Sequence, residues 1–182
     1  MVKVVLFLAS GFEEIEAMSI VDTLRRAGVE VVVAGLQEGA TEGSRGVNVI
    51  PNRSIDEIAL EEFAAVILPG GSPGYINLGR DRRVLDLVTR AFEEGRIVAA
   101  ICGAPTVLAD LGILKGKKAT VCPGKEAELT GAEFVNERVV VDGAVVTSQG
   151  PGTAIEFGIT LIELLVGKQR AQEVKDDLVA NF

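Results

Sequence analysis

Residues 98–112 read VAAICGAPTVLADLG, an apolar run that stops at Cys102 and passes through Gly103, Ala104 and Pro105 into the helical spacing of Thr106 to Leu111. A strand that turns directly into a helix leaves the residue at the junction beside the unpaired N–H groups of the first helical turn. That setting favours thiolate and makes Cys102 a candidate nucleophile. The competing reading of an isolated cysteine is a small buried hydrophobe. The chain contains no histidine, so the partner that most often activates such a thiol is missing.

The same alternation extends outward in both directions. VKVVLFLA (2–9), VEVVVAG (29–35), AAVILPGG (64–71) and RIVAAIC (96–102) are strand-length apolar runs, and amphipathic stretches at Glu13–Ala27, Arg82–Glu94 and Pro105–Leu111 separate them. Near-continuous Val/Ile/Leu runs bounded by glycine suit parallel strands covered on both faces, which predicts an α/β sandwich. The polar, Gly-rich segment Glu38 to Arg53, with VNVIP inside it, predicts a short extra strand or hairpin. In ERVVVDGAVVTS (137–148), Asp142-Gly143 between two β-branched runs is a strong hairpin signal. Ala154–Val166 and Gln169–Leu178 read as the last two helices.

Composition bounds the function. The chain has 182 residues, 48% hydrophobic and 24% charged, which suits one domain over residues 1–182 with its own core. Lys+Arg 18 against Asp+Glu 26 gives a net charge of −8, which disfavours nucleic acid as a partner. MVKVVLFLAS is too short for a membrane span and reads as a buried strand. Two cysteines without a secretory pattern imply free thiols in a reducing cytoplasm. Cys-x19-Cys without further cysteines or histidines is not a zinc site, no metal is expected, and neither a Walker A loop nor a GxGxxG turn appears.

Three strand ends carry the unusual residues: SGFEEIE (10–16), PGGSPG (69–74) and CGAP (102–105). In an open parallel sheet these ends line one crevice, so the three segments are expected to converge. On a helix beginning near Phe12, Glu13 and Glu16 share a side with Ile20, Leu24 and Ala27, while Glu14 sits nearer the rim. An inward carboxylate needs a proton or hydrogen bonds; the bland alternative is acidic preference for a helix N-terminus. Gly70 and Gly71 can bring N–H groups against a developing oxyanion, or simply make a tight turn. Cys122, in ATVCPG (119–124), reads as a plain strand residue.

GFEEIE, AAVILPGG, VAAICGAPTVLADLG and TSQGPGTAIEFG together resemble the DJ-1/PfpI superfamily, most closely its DJ-1/YajL/ThiJ branch, over essentially the whole chain. The resemblance implies a flavodoxin-like three-layer α/β/α sandwich with a mostly parallel central sheet, usually a homodimer, with a reactive cysteine at a strained nucleophile elbow. In that pattern Cys102 is the elbow cysteine and Glu16 its hydrogen-bonded acid. Gly71 and Gly103 supply oxyanion amides, Arg45 in GSRG reaches toward the partner subunit, and Ile15 and Arg26 lie near the dimer interface. Two departures stand out. Gly103 occupies the place where the superfamily's intracellular proteases carry histidine, which disfavours peptidase activity, and TVCP puts Cys122 where DJ-1 itself has a histidine.

The branch is associated with cofactor-free conversion of methylglyoxal and glyoxal to hydroxy acids, with deglycase activity, and with redox sensing or chaperone-like protection. Cys102 thiolate would add to an aldehyde, Gly71 and Gly103 would hold the oxyanion, and Glu16, its pKa raised by burial, would shuttle protons. The partner is then a small reactive carbonyl or glycated substrate. The alternative is a non-enzymatic sensor through Cys102 sulfenate or sulfinate, in which Cys122 is either inert or a resolving thiol.

Overall fold

The computed structural model describes residues 1–182. Strands form at β1 (Lys3–Leu8), β2 (Glu30–Gly35), β3 (Thr41–Glu42), β4 (Asn48–Val49), β5 (Arg53–Ser54), β6 (Ala65–Leu68) and β7 (Ile97–Ile101). β8 (Lys118–Ala119), β9 (Glu133–Phe134), β10 (Val139–Asp142) and β11 (Val145–Ser148) follow. The amphipathic stretches become α1 (Glu14–Arg26), α2 (Gly74–Arg80), α3 (Arg82–Glu93), α4 (Pro105–Asp110), α5 (Ala154–Leu165) and α6 (Lys168–Asp177). Side-chain caps set two of the starts: Glu13 accepts from the Glu16 N–H at 2.7 Å and Asp81 from the Arg83 N–H at 2.9 Å.

The main sheet runs in the order β10-β11-β7-β6-β1-β2-β5, parallel throughout except for the β10–β11 hairpin at one edge. Strand residues alternate between two cores. Val5, Phe7, Val66, Leu68 and Val98 face the layer of α2, α3 and α4, whereas Val4, Leu6, Ile67, Ala99 and Ile101 face α1, α5 and α6. Each fully buried Val, Leu, Ile or Phe contributes about 1.5–3 kcal/mol, so both faces must be covered and a three-layer α/β/α sandwich results. No helix is long and apolar enough to cross a membrane.

One local expectation holds and one shifts. The Glu38–Arg53 segment holds the antiparallel β3–β4 pair and the edge strand β5. In the last hairpin Asp142 pairs with Val145 inside the ladder, so the two-residue turn is Gly143-Ala144, with Gly143 at φ +61. Asp142 stays in the strand because its carboxylate accepts the Lys118 N–H at 2.9 Å and the Lys117 Nζ at 3.3 Å.

The α1 and α5 helices meet at Gly158, where an added Cβ would sit 2.9 Å from both Cβ and Cγ2 of Thr23. Intrinsic propensity favours alanine over glycine inside a helix by about 1 kcal/mol. Here the clash opposes that gain, and urea unfolding of Gly158→Ala is expected to show net destabilisation; a midpoint equal to or above wild type would refute the close approach.

Candidate active site

β1, β6 and β7 are neighbours in the sheet, so their carboxyl ends at Leu8, Leu68 and Ile101 open onto one crevice. From them come the GFEEIE, PGGSPG and CGAP segments, which meet as the sequence predicts.

Cys102 follows the last residue of β7 and has φ +64, a left-handed conformation costing a non-glycine residue about 1–2 kcal/mol. Flanking hydrogen bonds hold it there. Its N–H donates to the Ser148 carbonyl at 2.9 Å, its carbonyl accepts the Cys122 N–H at 3.0 Å, and the Ala104 N–H closes the turn onto Ile101 at 3.1 Å. The strand therefore cannot continue, and α4 begins two residues after Gly103.

Glu16 lies in the first turn of α1 and is fully buried, with 0% of its surface exposed. Its Oε2 accepts the Gly70 N–H at 2.8 Å, while Oε1 is buried with no hydrogen-bond partner. Gly70 must lack a side chain, since a Cβ would fall 2.6 Å from the Cys102 Cβ and 2.7 Å from Glu16 Oε2. Burial first, and then the charge of the neighbouring Cys102, push the Glu16 carboxyl up to about 9 against the opposing pull of the Gly70 amide. The acid accordingly favours its protonated form at neutral pH, with the Cys102 side chain as its neighbour.

The other two glutamates have separate duties. Glu13 is not turned inward, because the helix starts at Glu14 and leaves Glu13 extended (φ −86, ψ 122) as the cap. Glu14 accepts the Arg45 N–H at 2.6 Å, the Val47 N–H at 3.4 Å and the Ser44 hydroxyl at 3.1 Å, tying the β3–β4 hairpin to the helix. Burial pulls its carboxyl up, but these donors together hold it below the usual carboxylate value.

Cys102 opens into a cavity of about 380 Å³ shared with Gly71, Tyr75, Gly103, Cys122 and Lys125. Gly71 carries a free N–H, and the Gly103 N–H lies against the Cys102 sulfur. Gly70 has no such freedom, since its N–H is committed to Glu16. Lys125 is held by Glu128 at 2.7 Å, and its Nζ sits 5.4 Å from the Tyr75 ring centre.

Cys122 departs from its sequence reading. β8 ends at Ala119, and Cys122 lies in a bend beyond it, with its side chain beside that of Cys102. Hydrogen bonding between the two thiols also links their acidities. The interaction with Cys122 first, then burial, push the Cys102 thiol up, whereas the same interaction and the Lys125 ammonium bring Cys122 down to about 7. The Gly103 amide at the start of the turn still favours the Cys102 anion, whereas Pro105, which has no N–H, adds nothing to it. Proline after a cysteine on a short post-strand segment was the signal that Cys122 sits in a turn.

Arg45 is exposed and outside the cavity. Arg26 is engaged by Asp22 at 2.8 Å and Asp177 at 2.7 Å, and Ile15 is 57% exposed. No group of three or more Cys, Asp or Glu side chains converges in a way that could hold a metal ion.

The family model described as the DJ-1/PfpI family matches residues 2–164. The chain belongs to the DJ-1/PfpI family. It is 42% identical over 178 residues to the Drosophila melanogaster protein dj-1beta, spanning 96% of this chain and 95% of that one. It is 35% identical over 166 residues to a Thermococcus kodakarensis family member named a deglycase, covering 90% of this chain and 99% of that one. Two longer Arabidopsis thaliana DJ-1 homologues also match, this chain spanning 45% and 41% of their lengths. Among solved structures, Drosophila DJ-1beta superposes with a TM-score of 0.96 at 40% identity, covering 100% of this chain and 99% of that one. Toxoplasma gondii DJ-1 in an oxidized form gives 0.96 at 37% identity, with 100% of both chains covered. The sandwich is thus the flavodoxin-like fold of this family.

The raised Glu16 pKa has a measurable consequence. Its value rises from 4.5 toward about 9 on folding, so the folded state takes up a proton between these values; this contribution to stability is complete below pH 4.5 and is lost as pH rises through about 9. Thermal unfolding across that range should show a steeper loss of stability with pH in wild type than in Glu16→Gln, whose amide stays neutral. Parallel profiles would mean that Glu16 ionises normally.

Proposed function

We propose that this protein is a cofactor-free enzyme of reactive-carbonyl protection, converting methylglyoxal-type dicarbonyls to hydroxy acids and acting on early glycation adducts in the reducing cytoplasm. The observation that carries this reading is a fully buried, protonated Glu16 beside a thiol that opens into a cavity.

The chemistry follows without imidazole. The Cys102 sulfur attacks the aldehyde carbon while its proton passes to the Cys122 thiolate, the anion the pair already carries. The carbonyl electrons move onto oxygen, where the Gly71 and Gly103 N–H groups receive the charge and Glu16 donates its proton. The Glu16 carboxylate then removes the hydrogen from the former aldehyde carbon and returns it to the adjacent carbon. This converts the hemithioacetal to a hydroxy-acid thioester. Water cleaves the thioester, releasing lactate from methylglyoxal and restoring the thiol. The Thermococcus relative named a deglycase supports the same substrate class.

We infer further that a second copy of the chain covers the first helix. Ile15 is exposed beside a cleft lined by Ile155, Leu178 and Phe182, and such pairing would direct Arg45 toward the partner's cavity.

Lactate formation from methylglyoxal by freshly reduced protein is the test. Cys102→Ser should abolish turnover, and Glu16→Gln should lower kcat by about 10²–10⁴, the usual worth of a positioned proton donor. Turnover that survives in both variants would overturn the assignment. Folded, reduced wild type without turnover would favour the alternative, a non-enzymatic oxidative-stress sensor or chaperone acting through Cys102 sulfenate or sulfinate.

A further inference from the structure

Three features surround the Cys102 sulfur that carbonyl chemistry does not exhaust. Cys122 is a second thiol in the same cavity, side by side with the first. Its backbone N–H is bonded to the Cys102 carbonyl at 3.0 Å, so the two backbones are adjacent as well as the two side chains. Glu16 Oε1 is a buried, unpartnered oxygen next to the site of oxidation. Because Cys122 sits in a bend rather than a ladder, closing a bond to Cys102 breaks no strand pairing.

We propose that Cys102 and Cys122 form a peroxidatic and resolving pair, making the cavity a thiol-dependent hydroperoxide reductase whose oxidised state is an intrachain disulfide. The inference rests on the same Cys102 site as the carbonyl reading but requires no carbonyl turnover.

The steps balance. Cys102 passes its proton to the Cys122 thiolate as its sulfur attacks the terminal oxygen of a hydroperoxide; an S–O bond forms, the O–O bond breaks, and the departing alkoxide or hydroxide takes the Glu16 proton. Cys102 becomes a sulfenic acid while the peroxide is reduced to an alcohol or water. Cys122 returns the proton it received to the Glu16 carboxylate and, as thiolate, attacks the Cys102 sulfur; the S–S bond forms as the S–O bond breaks, and the leaving hydroxide becomes water with that proton from Glu16. A small dithiol returns both sulfurs to thiols by exchange. Cys102 is oxidised first because Gly71, Gly103 and Glu16, the groups that can receive or protonate a leaving oxygen, all adjoin it, whereas Cys122 has only Lys125. Cys122 is the effective attacking thiol because Lys125 and Cys102 keep much of it ionised near neutral pH.

Reduced protein treated with a few equivalents of hydrogen peroxide, without any carbonyl, and read by intact mass spectrometry and peptide mapping under non-reducing conditions tests this. Wild type should lose two hydrogens as a monomer with a Cys102–Cys122 cross-linked peptide. Cys122→Ser should instead gain two oxygens on Cys102, and Cys102→Ser should form no sulfinate and no cross-link. Peroxide consumption with excess dithiothreitol should fall to the uncatalysed rate in Cys102→Ser, with circular dichroism confirming the fold of both variants. Wild type that accumulates Cys102 sulfinate while Cys122 stays reduced would overturn the proposal, as would a disulfide joining two chains. Failure here leaves lactate formation untouched, and loss of lactate formation leaves the disulfide result untouched.

Discussion

Everything at the site depends on the parallel registration of β1, β6 and β7. Hydrogen bonding in these ladders, with both faces buried under helices, fixes where each strand stops, and three segments far apart in sequence then emerge within reach of one another. A slip by one residue would exchange the two cores, placing Val5 and Phe7 where Val4 and Leu6 belong. The apolar layers therefore hold the chemistry in place, although none of their side chains takes part in it.

Within that frame the site is an arrangement of shared protons. Gly70 donates to one Glu16 oxygen, burial favours the protonated acid, and hydrogen bonding between the two thiols with the Lys125 ammonium alongside favours the anion on Cys122. Each group is unusual only because of its neighbours. A buried acid stays neutral next to an anion, and a thiol becomes acidic where a lysine and a second thiol stabilise its charge. The arrangement supplies an acid and a base at neutral pH in a chain without imidazole.

Much of this was legible beforehand because the elements are strongly patterned. The Val/Ile/Leu runs, the abrupt stop at Cys102, and the inward position of Glu16 all follow from local spacing, and the four motifs point to the family. What escaped depends on contacts between distant residues. Gly70 was read as an oxyanion donor, but only the folded site shows its amide spent on Glu16. Cys122 was read as a strand residue, yet β8 ends after two residues because its pairing runs out, and the acidity of each thiol is set by the other. The wheel placed Glu13 inward because it began the helix too early; the choice of Glu13 as cap is decided by its bond to the Glu16 amide.

The paired attachments of Glu14 and Glu16 bear on how this chain can change over generations. Glu14 reaches outward to clamp the Ser44–Val47 arm, and Glu16, two residues on, reaches inward to Gly70. A two-residue step carries the side chain more than half way round a helix, so one turn serves two opposite faces. No insertion or deletion between Glu14 and Glu16 can preserve both bonds. The spacing of these two residues is thus more tightly bound than the identity of the one between them, and drift here is confined to substitution in place.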